Sequence, residues 1–343
     1  MEAQSPAQTG RSLLAVALAL VLSVTACTAT PSGQPTPTLT IGQSNKLSSR
    51  TLLEAAGLAD TPYTIKWAEF NATPDMLEAI SSGAVDVGGN GGTTGAIQAF
   101  YGNRKVKVAA AAITSQIGEE GSAVIVPSDS PVRTFTDLKG KRIGVTFGSG
   151  VHYYTYLALE QFGLSPSDVE FVNLKTSDAY AAFVAGQIDA WAIWDPNLST
   201  AQTEVGARSV LTAREIDELG SLYTYQFVNE AVLTDPAKTE AIADFLRRLV
   251  KAQEWVNNHP AAWADAGEKL SGLTPAASQA SAERQSKSYA PIMPADLQAL
   301  QKEAEFWVGL GTYPRPVDVT PIFTFRFNAD ITKALEEGTS GGN

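Results

Sequence analysis

From residue 38 onward the chain alternates short apolar runs with amphipathic stretches, and this rhythm limits the fold more than any other feature. A strand that is apolar throughout must be covered on both faces, and a helix lying between two such strands supplies the cover, so the pattern predicts βαβ units around a largely parallel sheet. Leu39-Thr40-Ile41-Gly42 reads as a first strand, with a helix over 49–58 and a second strand over 63–70. Thr73-Pro74-Asp75 carries a side-chain cap, a proline and an acid where a helix starts. Met76, Leu77 and Ile80 form that helix's apolar stripe, and Gly83 stops it. Strands follow over 84–88 and 106–113. A second unit opens near Thr136, with strands over 142–147, 169–174 and 188–194 and helices over 151–162 and 177–186. The chain returns to strand over 223–228 and then turns mostly helical, most strongly over 239–257. There is no internal repeat.

The first 37 residues follow different rules. Arg11 precedes an unbroken apolar run from Leu13 to Leu22, closed by Ser23-Val24-Thr25-Ala26-Cys27. Such a run is the core of an export signal, too short to span a bilayer. Small residues directly before a cysteine resemble the lipobox of bacterial lipoproteins, which implies a signal peptide over 1–26 and acylation of Cys27. The stretch 27–37, rich in proline and lacking apolar residues after Ala29, reads as a disordered tether. The expected place is the extracytoplasmic face of the cell membrane, held by the lipid. Cys27 is the one cysteine, so neither a disulfide nor a thiolate metal site is expected. A net charge of −11 argues against nucleic acid or an anionic membrane face as partner.

Catalytic signatures are missing. Gly148-Ser149-Gly150 is no nucleophile elbow, because Phe147 stands where that motif needs a glycine. No Gly-Lys-Ser/Thr phosphate loop occurs, and His152 and His259 lack the spacing of a helical metal pair. The expectation is no enzyme, no cofactor and no metal.

Several segments resemble a known family. Glu69-Phe70, Met76-Leu77-Glu78-Ala79-Ile80 and Gly83-Ala84-Val85-Asp86-Val87-Gly88 look like the first domain of the sulfonate-binding proteins of ABC importers, as does Asp137-Leu138-Lys139-Gly140-Lys141-Arg142-Ile143-Gly144-Val145. Gly186-Gln187-Ile188-Asp189-Ala190-Trp191-Ala192-Ile193-Trp194-Asp195-Pro196 resembles the alkanesulfonate-binding members in particular. Ser115-Gln116-Ile117-Gly118 and His152-Tyr153 look more like the taurine-binding ones. The likeness runs through residues 38–325 with the motifs in order. It implies an α/β type 2 periplasmic-binding-protein fold, in which two lobes joined by two crossovers close on a ligand. Lobe 1 would be 38–127 with 223–343, and lobe 2 would be 128–222. The implied partners are a small sulfonate (alkanesulfonate or taurine) and an ABC permease, served by a monomer. Relatives of the same fold that take thiamine-precursor pyrimidines, riboflavin or nitrate are the alternative, and Trp194 with Tyr153 keeps a stacked aromatic ligand open. The fold-sharing pyrimidine synthases carry a cysteine-rich iron motif that this chain lacks.

In open α/β sheets ligands lie beyond the carboxyl ends of the strands, where helix N-termini point. Three segments fit: Gln43-Ser44-Asn45, the run Gly88 to Thr94 including Asn90, Gly91, Gly92 and Thr93, and Gly148-Ser149-Gly150. Glycine lets backbone N–H groups approach an anion, and a helix start adds unpaired donors and partial positive charge. A sulfonate, permanently ionised with three acceptor oxygens, suits such a site. Ser149 is expected to cap its helix and to share its hydroxyl with the ligand. His152 matches a family histidine. Trp194 is placed to pack on an alkyl chain, and Asp195 either receives a ligand ammonium or caps the following helix. Arg284 aligns with a cationic position of the alkanesulfonate-binding members, against an exposed helix arginine as the plainer reading. The chain departs from the family at Gln43-Ser44-Asn45-Lys46, where relatives carry an aromatic residue.

Overall fold

The computed structural model describes residues 36–340, apart from 44–46, 71, 220, 221 and 317. The strands are β1 (Thr38–Gln43), β2 (Thr64–Glu69), β3 (Val87–Gly92), β4 (Val106–Thr114), β5 (Ser122–Val126), β6 (Arg142–Val145), β7 (Glu170–Asn173), β8 (Ala190–Trp194), β9 (Arg208–Thr212), β10 (Tyr223–Asn229) and β11 (Lys287–Ala290). The helices are α1 (Ser49–Ala55), α2 (Thr73–Ser81), α3 (Thr93–Tyr101), α4 (Gln116–Glu119), α5 (Gly150–Gln161), α6 (Thr176–Val184), α7 (Asn197–Val205), α8 (Pro236–Asn258), α9 (Pro260–Ser271), α10 (Pro275–Glu283), α11 (Pro294–Gly309) and α12 (Asn328–Ser340). No described helix is long and apolar enough to cross a membrane.

Two sheets organise these elements. The first has the order β11-β4-β10-β3-β1-β2 and the second β7-β6-β8-β5-β9. Within each, the βαβ neighbours run parallel, β1 with β2 and β3, β6 with β7 and β8. The strands entered after a crossing, β5 and β10, run antiparallel to their neighbours. The chain therefore passes from the first sheet to the second and back, as the two-crossover layout requires. The first crossing falls earlier than expected. Ala123, Val124 and Ile125 pair with Ile193, Ala192 and Trp191, so β5 belongs to the second sheet and the boundary lies before Ser122 rather than at 127. Ser122–Val126 is apolar enough to continue either sheet, and only the long-range pairing decides.

The helices form for legible reasons. In α2, Met76, Leu77 and Ile80 are fully buried, each worth about 1.5–3 kcal/mol relative to exposure. Its cap differs from expectation: Ala72 holds the cap position in extended backbone, no side chain closes the first turn, and Thr73 is already helical. Gly83, at φ +82°, turns the chain out of the helix in a conformation a β-carbon disfavours. In α8, Asp235 accepts the N–H groups of Ala237 and Lys238.

One element overturns the local reading. The glycine run after Val87 is not a turn but strand β3 itself. A β-carbon on Gly88 would lie 2.6 Å from Ile80 Cδ1, and one on Gly91 would lie 2.4 Å from Phe227 Cε2. Glycine is required there because α2 and β10 press directly on the strand backbone. Asn90 interrupts the run at φ +59°, a left-handed conformation asparagine tolerates better than most residues.

Candidate functional site

Between the sheets lies a cavity of about 180 Å³, walled by Asn90, Gly92 and Lys287 from the first lobe and by Ser149, Gly150 and Trp194 from the second. Two helices start at it. Gly92, in extended backbone, is the cap residue of α3, and Ser149 holds the same place for α5. A β-carbon built on Gly92 would stand 3.7 Å from the Gly150 nitrogen, so the two helix starts face each other across the cleft. First-turn N–H groups have no intrahelical acceptors, and each helix start carries about half a positive charge.

The cleft is closed by direct contacts between lobes. Thr94 Oγ1 stands 3.5 Å from the Ser149 carbonyl. Gly148, at φ +77°, lies so close to the Gln98 amide that a β-carbon would meet its nitrogen at 1.7 Å. Ion pairs Lys175–Asp75 at 3.6 Å and Lys302–Glu218 at 2.9 Å also join the two lobes.

The expected site residues separate into groups. Asn90, Gly92, Gly148, Ser149, Gly150, Trp194, Asp195 and Arg284 all border the cavity. Ser149 does not cap its helix through its side chain, because its hydroxyl donates to the Thr146 carbonyl at 2.6 Å. Gly91 supports the strand behind the wall. Thr93 is buried and gives its hydroxyl to Glu303, which also accepts from Thr94 and from Trp307 Nε1. Burial raises the pKa of Glu303, and the hydroxyls that donate to it act in the opposite direction. Gln43 is buried too, its amide bonded to Glu69. Ser44, Asn45 and Cys27 lie outside the described residues.

His152 is not brought to the cavity. Its ring stacks on Phe147 at 4.5 Å and packs edgewise on Tyr156 and Phe171, with Trp307 on a further side. Its Nδ1 accepts the Gly148 N–H at 3.4 Å, which leaves the proton of the neutral ring on Nε2. Burial lowers its pKa to about 4. Helical spacing explains this: residue 152 points away from the cavity, between Phe171 of its own lobe and Trp307 of the other, and Tyr154, not Tyr153, borders the cavity.

Asp195 and Arg284 come together. Arg284 donates Nε to one carboxylate oxygen at 2.8 Å and Nη2 to the other at 3.1 Å. Asp195 also accepts the N–H and the hydroxyl of Ser199 in the first turn of α7. The carboxylate thus caps α7 and is already paired with a cation, and Arg284 is not an exposed helix residue.

Tyr154, Leu222, Tyr223 and Lys287 border the cavity without having been expected there, and Lys287 is the one that carries charge. Lys287 opens β11, the edge strand of the first sheet, and its ammonium reaches the cavity, where Nζ lies 3.4 Å from Asn90 Oδ1. Burial draws its pKa down to about 8. No local signal marks the tetrapeptide Lys-Ser-Tyr-Ala as strand; pairing with β4 places it.

A family model described as NMT1/THI5 like matches residues 49–263. The chain belongs to the NMT1/THI5-like family. An aliphatic sulfonates-binding protein of Escherichia coli (strain K12) is 32% identical over 255 residues, 71% of this chain and 77% of that one. The taurine-binding periplasmic protein of the same organism is 27% identical over 61% of this chain and 63% of its own length. Among solved structures, the alkanesulfonate-binding protein from Xanthomonas axonopodis pv. citri bound to MOPS superposes with a TM-score of 0.74 at 28% identity, covering 85% of this chain and 99% of that one. The two-lobed binding-protein fold expected from the sequence is therefore the fold of this chain. A desulfurization enzyme shares that fold at 16% identity and a TM-score of 0.60 over 87% of this chain and 99% of its own, so fold alone does not separate receptor from enzyme.

Proposed function

We propose that this protein is the extracytoplasmic solute receptor of an ABC importer, that it captures a small sulfonate, and that it is no enzyme. The observation that carries the reading is the meeting of two glycine-flanked helix starts, one from each lobe, in a single cavity. Backbone N–H groups from both sides would hold the three sulfonate oxygens, while Trp194, Tyr223 and Leu222 offer apolar surface to the rest of the ligand. Because the anion touches both lobes, it favours the closed arrangement by contacts that the open one lacks. The permease would then recognise the two lobe surfaces brought together by closure.

Cavity size supports a small ligand. About 180 Å³ is close to the roughly 150 Å³ cavity that takes one benzene ring, which suits a short sulfonate and is too little for a three-ring flavin. Ser149 gives no support to an enzyme reading, because its hydroxyl is donated to the Thr146 carbonyl. Attachment through a lipid at Cys27 is part of the proposal and rests on the lipobox-like sequence.

Calorimetry of the full chain with short alkanesulfonates, taurine and MOPS tests the substrate class. Binding is expected with at least one at micromolar concentration, and no heat with any of them sinks it. A thermal-shift panel of pyrimidines, riboflavin and nitrate separates the alternative ligands. Palmitate labelling of the wild type that persists in Cys27→Ala would refute the anchor.

A further inference from the structure

We propose that Lys287, and not Arg284, is the cation that neutralises the bound anion. The inference rests on the reading of the cleft as an anion site. Arg284 has the wrong commitments: its guanidinium is bonded to both oxygens of Asp195, to Ser199 Oγ and to Gln202. Lys287 has almost none. Among the described residues its ammonium has Asn90 Oδ1 as hydrogen-bond partner, at 3.4 Å, and no carboxylate pairs with it. An ammonium carries three donors, so two remain to be used.

The surroundings of Lys287 make that vacancy costly unless an anion enters. Asn90 on β3 is uncharged, and its left-handed backbone within the glycine run lets its amide oxygen reach the ammonium. Asp195 at the end of β8 is neutralised by Arg284. Tyr154 on α5 is pushed upward by burial, so it stays un-ionised around neutrality. On β10, Tyr223 borders the cavity. From α8, Asn257 donates to the Lys287 carbonyl, and its amide oxygen accepts from Gln253 rather than from the ammonium. A cation sunk among such groups loses hydration without gaining a counter-charge, which is why its proton is held weakly, with a pKa near 8. The two helix starts add positive potential from the same cavity. Three electropositive ends therefore meet at a cavity whose one lining acid among the described residues, Asp195, is held by Arg284, while Glu303 lies behind the start of α3, where it accepts the Thr93 and Thr94 hydroxyls.

A sulfonate beside Lys287 raises its proton affinity, so binding takes up a proton wherever the free lysine is partly deprotonated. The ligand stays ionised across this range, which leaves the protein as the source of the linkage. Calorimetry of the full chain with propanesulfonate at pH 8.5, in two amine buffers of different ionisation enthalpy, reads this uptake directly. The wild type should take up a substantial fraction of a proton. Lys287→Met should abolish the uptake and weaken binding by about 10- to 100-fold, the effect of losing one charge-assisted hydrogen bond. Lys287→Arg should bind within about tenfold of the wild type without uptake, since guanidinium does not titrate there. Uptake that persists in either variant, or a Lys287→Met protein that binds within threefold of the wild type, overturns the assignment. A wild type that binds no sulfonate overturns the functional reading and this inference together.

Discussion

Replacing Arg284 by methionine keeps most of the side-chain volume and removes the guanidinium from Asp195. The Asp195 side chain is 6% exposed and that of Arg284 18%, so the pair is held largely away from solvent. An exposed pair would be worth at most about 1 kcal/mol, whereas stripping one partner from a buried pair costs about 3–5 kcal/mol. The Ser199 N–H at 3.0 Å and its hydroxyl at 2.6 Å stay with the carboxylate, and the start of α7 lends partial positive charge. We therefore take the lower end, about 3 kcal/mol, which in a domain of this size lowers the thermal midpoint by roughly 6 °C. Asp195→Asn combined with Arg284→Met leaves no stranded charge, and the double variant should recover about 2 kcal/mol of that loss. The pair also joins the end of β8 in one lobe to the segment before β11 in the other, so its loss should open the ligand-free protein and enlarge its radius of gyration in X-ray scattering. Urea and thermal unfolding of the three variants measure the energies. A single variant that loses less than about 1 kcal/mol, or a double variant no more stable than the single, would refute the argument that a stranded buried carboxylate dominates.

Four further outcomes follow from the same cleft. Taurine should bind at least about tenfold more weakly than ethanesulfonate, because Asp195 is already neutralised and the remaining cation repels an ammonium; equal affinity in calorimetry would mean that Asp195 releases Arg284 to the ligand. His152, held at about 4 by burial against an unfolded value near 6.5, binds fewer protons folded than unfolded between those values, so stability should fall by about 3 kcal/mol as pH drops through that window, and His152→Leu should flatten the profile. Lys287→Met should stabilise the ligand-free protein by about 2 kcal/mol at pH 7, after allowance for partial exposure; the gain should shrink above pH 8, as the wild-type lysine loses its proton, and a destabilised variant would show that the ammonium has a partner in solution. Gly148→Ala places a β-carbon at φ +77° and against Gln98, so it should lose about 1 kcal/mol in urea unfolding and bind the ligand less tightly, and unchanged affinity would show that the lobes close without that contact.

Much of the framework was legible because it is written in short-range terms. The parallel βαβ rhythm, the stripe of Met76, Leu77 and Ile80 and the start of α5 after Gly148-Ser149 all follow from residue period and glycine punctuation within a dozen residues, although the side-chain caps expected at Thr73 and Ser149 do not form. What escaped legibility depends on partners far along the chain. The run Gly88 to Gly92 reads locally as a loop, since glycine disfavours strands; it is strand because Ile80, Met76 and Phe227 occupy the space its side chains would fill. The sequence likewise offers two cations three residues apart, Arg284 and Lys287, with nothing local to rank them. Family likeness favoured the arginine. The structure separates them by a partner 89 residues upstream, Asp195, which engages the arginine and leaves the lysine facing the cavity. The same separation applies to the two lobes' contributions: backbone donors at Gly92 and Gly150 could be anticipated from glycine and helix starts, but their convergence on one cavity depends on two crossings between sheets. A binding site assembled in this way keeps its backbone donors in local motifs and its charge balance in long-range pairing, so a change at Asp195 should alter which cation the ligand meets while leaving the helix starts at Gly92 and Ser149 in place.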